Sequence, residues 1–300
     1  MNILISGASG LIGNALISYL SQQGHQVFKL YRGKENDHQS FHWQPELGLI
    51  HFDDTIQLDA IINLCGVNIG DQRWSTRRKQ AIIDSRIAST DLLSKTISKL
   101  AHPPAIYINA SAIGFYGNSG DTKVDETSPQ GNNFLTDIVT QWESATQPAV
   151  DAGIRTVCIR SGIVLSAEAG ALQKMLLPFK LGLGGRVGSG KQYMSWIALE
   201  DEVRAIEFLL NTPSLKGPVN LCSPNPVTNS EFTQTLGHVL KRPTIFPLPA
   251  FVVRLVFGEM GQKLLLEGCR VNPDKLTRAG FEFNYPTLKE GLVQQLKSNK

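Results

Sequence analysis

Three observations predict an α/β fold, with a doubly wound parallel sheet followed by a smaller, mostly helical C-terminal region. Short apolar runs alternate with helix-length segments across residues 1–165. A glycine-rich turn, Gly7 to Gly13, joins the first apolar run to the first helical segment. After Gly162 the alternation loosens, and prolines accumulate from Pro224 onward.

The elements follow in order. Asn2 to Ser6 is a continuous apolar run and reads as a buried parallel strand. Leu11 to Gln23 has helical periodicity and stops at Gly24. Val27 to Tyr31 is a second strand. Residues 33 to 58 are polar, with short strands expected near Phe41–Trp43 and Leu49–Phe52. Ala60 to Leu64 reads as a buried strand, Thr76 to Leu100 as a long helix and Ala105 to Ala110 as a strand. A long loop runs to Gly131, then a helix from Phe134 to Val150 and a strand from Thr156 to Arg160. Helices near 168–181 and 200–211 flank the glycine-rich segment 182–190, and Pro218 to Cys222 is expected to return to the sheet. Residues 1–165 therefore form one domain, with 217–222 added to its sheet, and 166–300 form a second region.

Composition narrows the function classes. A net charge of +3 over 300 residues gives no bulk signal for nucleic acid or for a membrane surface. Four scattered cysteines, Cys65, Cys158, Cys222 and Cys269, read as reduced thiols of a cytoplasmic protein. With a strand beginning at Asn2 no leader segment is expected, and Leu248 to Phe257 is too short to span a bilayer. The six histidines show no metal-ligand spacing, so no metal site is expected.

The turn Gly7-Ala8-Ser9-Gly10-Leu11-Ile12-Gly13 sits where a dinucleotide site needs it, after an apolar strand and opening a helix. Gly7 permits the tight turn, Gly10 the approach of a pyrophosphate, and Gly13 close packing of helix on strand. Ser9, Leu11 and Ile12 complete the loop, and the helix N-terminus offers N–H groups and a positive dipole end to phosphates. At the end of the second strand the chain reads Tyr31-Arg32-Gly33. An acidic residue there would accept from a ribose 2′-hydroxyl, whereas Arg32 suits a 2′-phosphate, so NADP(H) is the expected cofactor. Glu35 and Asp37, just downstream, keep NAD as the alternative.

The spacing G-x-x-G-x-x-G resembles the extended branch of the short-chain dehydrogenase/reductases, a Rossmann-type superfamily. Asn63-Leu64-Cys65-Gly66 resembles its N-x-A-G segment, which places Leu64, Cys65 and Gly66 beside the adenosine side of the cofactor. That superfamily carries a Tyr-x-x-x-Lys pair on the helix after its fifth strand, and a Ser or Thr at the strand's end. Here the helix begins at Phe134 with Ile138 four residues on, neither of which exchanges protons. By register from Tyr116-Gly117 the Ser/Thr position falls on Ala112. Ser111 and Tyr116 are the nearest substitutes in type and place, and Ser111 doubles as a cofactor contact. The alternative is that Ser111 only bonds the cofactor and Tyr116 only packs. The Tyr285–Lys289 spacing is interrupted by Pro286 and is read as chance.

Trp74-Ser75, Ser85-Arg86-Ile87, Ser111 to Gly117, Trp142-Glu143, Arg160-x-Gly162-x-Val164-Leu165, and Gly182 to Gly190 ending at Ser195-Trp196-Ile197 and Asp201 resemble the YfcH-type epimerase family. So does the tail from about Pro247 to Leu296, with Gly258-Glu259-Met260, Arg270-Val271-x-Pro273 and Gly280-Phe281. The resemblance spans essentially the whole chain. It implies an atypical NADP-binding member that lacks the usual active-site residues, with an oxidoreductase or sugar-nucleotide epimerase activity and no named substrate. A small polar substrate, a sugar nucleotide among the candidates, and a homodimer like that of extended relatives are the expected partners. A catalytically inactive NADP(H) sensor is the alternative. Arg86 stands where the extended enzymes place an Asn near the cofactor. It either reaches a phosphate or is a surface helix charge.

Two further signals are weak. Gly185 to Lys191 mimics a phosphate-binding loop, but Gln192 replaces the required hydroxyl residue. That segment is better read as a lid or substrate contact. Arg73, Arg77, Arg78 and Lys79 read as a solvated helix end that could attract an anionic substrate.

Overall fold

The computed structural model describes residues 1–33, 40–52 and 56–297. In chain order the elements are β1 (Asn2–Ser6), α1 (Leu11–Gln22), β2 (Gln26–Tyr31), β3 (Ser40–Gln44), β4 (Leu49–Ile50), β5 (Ala60–Asn63), α2 (Thr76–Ile97), β6 (Ile106–Ala112), β7 (Lys123–Val124), α3 (Phe134–Ser144) and α4 (Gln147–Asp151). There follow β8 (Arg155–Ser161), β9 (Ile163–Leu165), α5 (Gly170–Lys180), β10 (Tyr193–Met194), β11 (Trp196–Ala198), α6 (Leu199–Asn211) and β12 (Gly217–Leu221). The last part holds β13 (Val227–Thr228), α7 (Asn229–Leu240), α8 (Ala250–Gly261), β14 (Arg270–Val271), α9 (Asp274–Arg278) and α10 (Leu288–Lys297).

Eight strands form one sheet in the order β12-β8-β6-β5-β1-β2-β3-β4. All neighbours are parallel except β3 and β4. The parallel strands are buried on both faces, which is why they read as unbroken apolar runs. One face carries Ile3, Ile5, Ile62, Ile108 and Ile159 against Leu16 and Leu20 of α1 and Ile206 and Leu209 of α6. The other carries Leu4, Phe28, Ile61 and Tyr107 against Leu93 and Ile97 of α2. Each large apolar side chain taken fully out of water contributes about 1.5–3 kcal/mol before entropy is counted. A second, smaller core joins Leu172 and Leu176 of α5, Phe232 and Leu236 of α7 and Leu288 and Leu292 of α10 around Trp196.

The expected helix over Phe134–Val150 is two helices, α3 and α4. Pro148 in the first turn of α4 has no N–H to offer and its ring crowds the carbonyl four residues back, so the chain must restart there. The return strand lies parallel beside β8, from Gly217↔Val157 to Leu221↔Ser161. Arg155 fastens that edge by donating to the carbonyls of Leu209, Leu210, Thr212 and Leu215 around the end of α6. The chain from β1 goes outward to β2 and β3, then crosses back to β5 on the other side of β1. The crevice between β1 and β5 is thus the topological switch point, and their C-terminal ends face it.

Candidate functional site

The glycine-rich turn lies at that switch point. Gly7 has φ +71°, and a Cβ there would sit 2.7 Å from the Leu64 carbonyl oxygen. A Cβ on Gly13 would sit 2.2 Å from the Gly7 oxygen, a distance no real pair of atoms tolerates. The turn is closed by the Gly10 N–H donating to the Gly7 oxygen at 3.0 Å. Among the described residues Gly10 caps α1 without a side-chain hydrogen bond, and Ser9 and Gly10 are exposed. The first N–H groups of a 12-residue helix are therefore left for an outside acceptor. Leu11 and Ile12 are half-buried beside this opening, and Leu11 reaches Gly170 at the start of α5.

Arg32 leaves the end of β2 with its guanidinium 3.2 Å from Glu46 and about half exposed. Burial pushes the Cys65 thiol up, while Ser6 and Arg32 draw it down. Tyr31 meets the His42 ring edge-on at 5.7 Å. Glu35 and Asp37 lie outside the described residues.

Arg86 folds over the end of β5. Its Nη1 donates to the Val67 and Ile82 carbonyls at 3.1 and 3.0 Å, and its guanidinium lies 5.0 Å from the Trp142 ring centroid. A Cβ on Gly66 would meet Arg86 Cζ at 3.2 Å. Burial, then the Arg78 charge, lowers its pKa to about 10, and among the described residues it has no ion pair.

Below this rim a buried polar network ties the strand ends together. Ser6 Oγ donates to Asn63 Oδ1 at 2.5 Å, and Asn63 Nδ2 donates to Thr90 Oγ1 and Asn109 Oδ1 at 3.0 and 2.7 Å. Trp142 Nε1 donates to Thr90 Oγ1 at 2.9 Å. Such a network, with partners for its members, fixes the relative heights of β1, β5 and β6.

Ser111 and Arg160 are paired across β6 and β8, so their side chains share one face. Glu143 of α3 meets both. Ser111 Oγ donates to Glu143 Oε1 at 2.6 Å, and Arg160 donates to Oε1 from Nε at 2.7 Å and to Oε2 from Nη2 at 2.8 Å. Arg160 also donates from Nη1 to the Tyr116 oxygen at 3.1 Å and lies 3.4 Å from the Phe115 ring centroid. Tyr116 in turn donates to Asn220 Oδ1 at 2.8 Å. Burial, partly offset by Arg160, lifts the Tyr116 hydroxyl to about 12. Burial works against the Arg160 charge, yet Glu143 and Tyr116 hold its pKa above the ordinary arginine value.

Glu143 and Arg160 enter the sequence reading only as family marks. The signals for them are a charge ending an apolar strand and a carboxylate on the inner face of an amphipathic helix. At the other side of the opening, Phe134 stacks edge-on against Trp74 at 5.1 Å, with Lys79 Nζ 4.6 Å above its ring. Lys79 pairs with Glu259 of α8 at 2.6 Å, so one member of the basic cluster ties the C-terminal region to this loop.

Residues 3–222 match the NAD dependent epimerase/dehydratase family, and residues 248–295 match a domain of unknown function, DUF1731. The epimerase family protein Mb2239 of Mycobacterium bovis is 47% identical over 290 residues, covering 97% of this chain and 96% of that protein. The crystal structure of the human epimerase family protein SDR39U1 with NADPH has 35% sequence identity, covers 99% of both chains and superposes with a TM-score of 0.91. The UDP-glucose 4-epimerase of Thermotoga maritima, solved with UDP-glucose, shares the fold at a TM-score of 0.75 and 16% identity, covering 100% of this chain and 99% of that one. The sheet order, the glycine turn at its switch point and these likenesses agree. This chain belongs to the NAD dependent epimerase/dehydratase family, among its epimerase family proteins.

Proposed function

We propose that this chain binds NADP(H) at the Gly7–Gly13 turn and exchanges a hydride with a carbinol or carbonyl carbon of a small polar substrate. The observation that carries the reading is the glycine cradle, where no Cβ fits at Gly7 or Gly13 and the α1 N-terminus has no side-chain cap. Gly7, Ser9, Gly10, Leu11, Ile12 and Gly13 hold the pyrophosphate. Tyr31 and Arg32 flank the 2′-phosphate, which Arg32 releases Glu46 to bind. Leu64, Cys65 and Gly66 face the adenosine side, with Arg86 as a half-buried cation held close to the phosphates. The human relative solved with NADPH supports the same choice of cofactor.

When bound, the cofactor supplies or accepts the hydride. Ser111 hydrogen-bonds the reacting oxygen; during carbinol oxidation it takes the substrate hydroxyl's proton as it passes its own to Glu143, and during reduction the same relay returns a proton to the substrate oxygen. Arg160, held by Tyr116, which Asn220 anchors in turn, keeps Glu143 in place. Epimerisation would repeat the step in both directions at one carbon. A sugar nucleotide suits the family's fold. The test is NADPH oxidation by the full chain against a panel of carbonyl compounds and keto-sugar nucleotides. Turnover that falls at least about 100-fold in Ser111→Ala supports the assignment, and unchanged turnover removes Ser111 from the chemistry.

The aromatic packing at Phe134 favours a second reading, an NADP(H) sensor without turnover. Tight NADPH binding with no hydride exchange across that panel would select it.

A further inference from the structure

The net charge of +3 conceals a strong local imbalance. Residues 169–199 and 232–258 contain seven Lys or Arg and no Asp or Glu. These segments run side by side. Val187 bridges to Leu248, the Gly188 N–H donates to the Leu248 oxygen at 2.9 Å, and a Cβ on Gly182 would touch Pro243 at 3.6 Å.

The same two segments hold eight of the twelve large apolar side chains that are exposed among the described residues. Leu255 is 74% exposed, Ile245 72%, Phe251 69% and Leu177 67%. Lys180, Arg186, Lys191, Lys241 and Arg242 are exposed and make no ion pair among the described residues. Arg186, Ser230, Thr233, Gln234 and Thr244 line an open cleft beside Ile245. A cation, three hydroxyls and an amide around one opening match the hydrogen-bonding needs of a phosphate.

We infer that this face docks on an anionic lipid bilayer, with the apolar tips entering the headgroup layer and the cations meeting lipid phosphates. The chemistry is that of an interfacial surface, whose apolar residues project singly and whose Lys and Arg stems flank them. The eight side chains are about half to three-quarters exposed and project from the surface, the form that suits entry into a headgroup layer. The docking brings the 182–190 loop, which bridges to Leu248, to the membrane surface.

The experiment is vesicle co-sedimentation of the full chain at low salt. Neutral phosphatidylcholine vesicles are compared with vesicles holding a third phosphatidylglycerol. Variants are F251S/L255S and K241E/R242E, each checked for an unchanged circular dichroism spectrum and melting temperature. Binding to the anionic vesicles alone, lost on raising salt, weakened about 25-fold or more by K241E/R242E, and likewise lost in F251S/L255S, is the expected result. No preference for anionic vesicles, or wild-type binding by both variants, overturns the inference. Sedimentation velocity on the same samples covers another occupant: a dimer that the variants dissolve, without vesicle binding, assigns the face to a second copy and also overturns it.

Discussion

Ser111 and Arg160 converge on a single oxygen of Glu143: the hydroxyl donates to Oε1 at 2.6 Å and the guanidinium at 2.7 Å. The two contacts differ in what their loss should do, because one partner is a neutral hydroxyl and the other a charge that is 3% exposed. Glu143→Ala strands that buried cation and should cost about 3–5 kcal/mol in urea unfolding. Ser111→Ala leaves the ion pair intact and should cost about 0.5–1.5 kcal/mol. Its turnover should fall through kcat with little change in KM. Equal stability losses in the two variants would contradict the arrangement.

At the turn, Gly13→Ala places a methyl against the Gly7 oxygen, so helix and strand must separate. A stability loss of about 1–3 kcal/mol is expected, together with loss of NADPH binding in a fluorescence titration. Gly24→Ala serves as the control, because its Cβ meets nothing within 4 Å among the described residues. Its φ of +83° still costs some stability, but NADPH affinity should be retained.

Glu202 in the first turn of α6 is fully buried, accepts from Ser161 Oγ at 2.5 Å on one oxygen and has no partner on the other among the described residues. Burial lifts its pKa from 4.5 to about 8, against the opposing Ser161 bond. The folded state therefore holds this proton more tightly than the unfolded chain. The contribution is full below pH 4.5 and is lost as pH rises toward about 8. Wild-type stability should decline across that window by at most about 1.4 kcal/mol per pH unit. Glu202→Gln should flatten the decline in chemical denaturation at pH 5 and pH 8, and an equal decline in both proteins would refute this.

The Arg32–Glu46 pair is exposed on both sides, so its own contribution to stability is small. Its effect should show in ligand choice. Glu46→Gln frees Arg32 and should tighten NADPH by up to about fivefold while leaving NADH unchanged. Weaker NADPH binding in that variant would mean Glu46 itself contacts the cofactor.

The parallel sheet was legible in the residues because its strands are buried on both faces and read as apolar runs. The glycine turn was legible because its spacing carries a steric requirement that the structure shows at Gly7 and Gly13. The break between α3 and α4 was missed because the apolar periodicity runs through Pro148 without interruption. The meeting of Ser111, Glu143 and Arg160 could not be read, since it depends on strand register and on where a helix 32 residues away settles. The cationic and apolar face was hidden for the same reason: its two halves are separated in sequence, and the bulk charge averages them away.

The most direct test of NADP(H) binding at the glycine turn is calorimetric titration of cofactor-stripped protein with NADPH and NADH, beside Arg32→Ala. Clear NADPH preference that collapses in Arg32→Ala while NADH affinity holds is the expected result. Binding of neither nucleotide by the wild-type protein would make the glycine turn a purely structural feature and would contradict the proposed function.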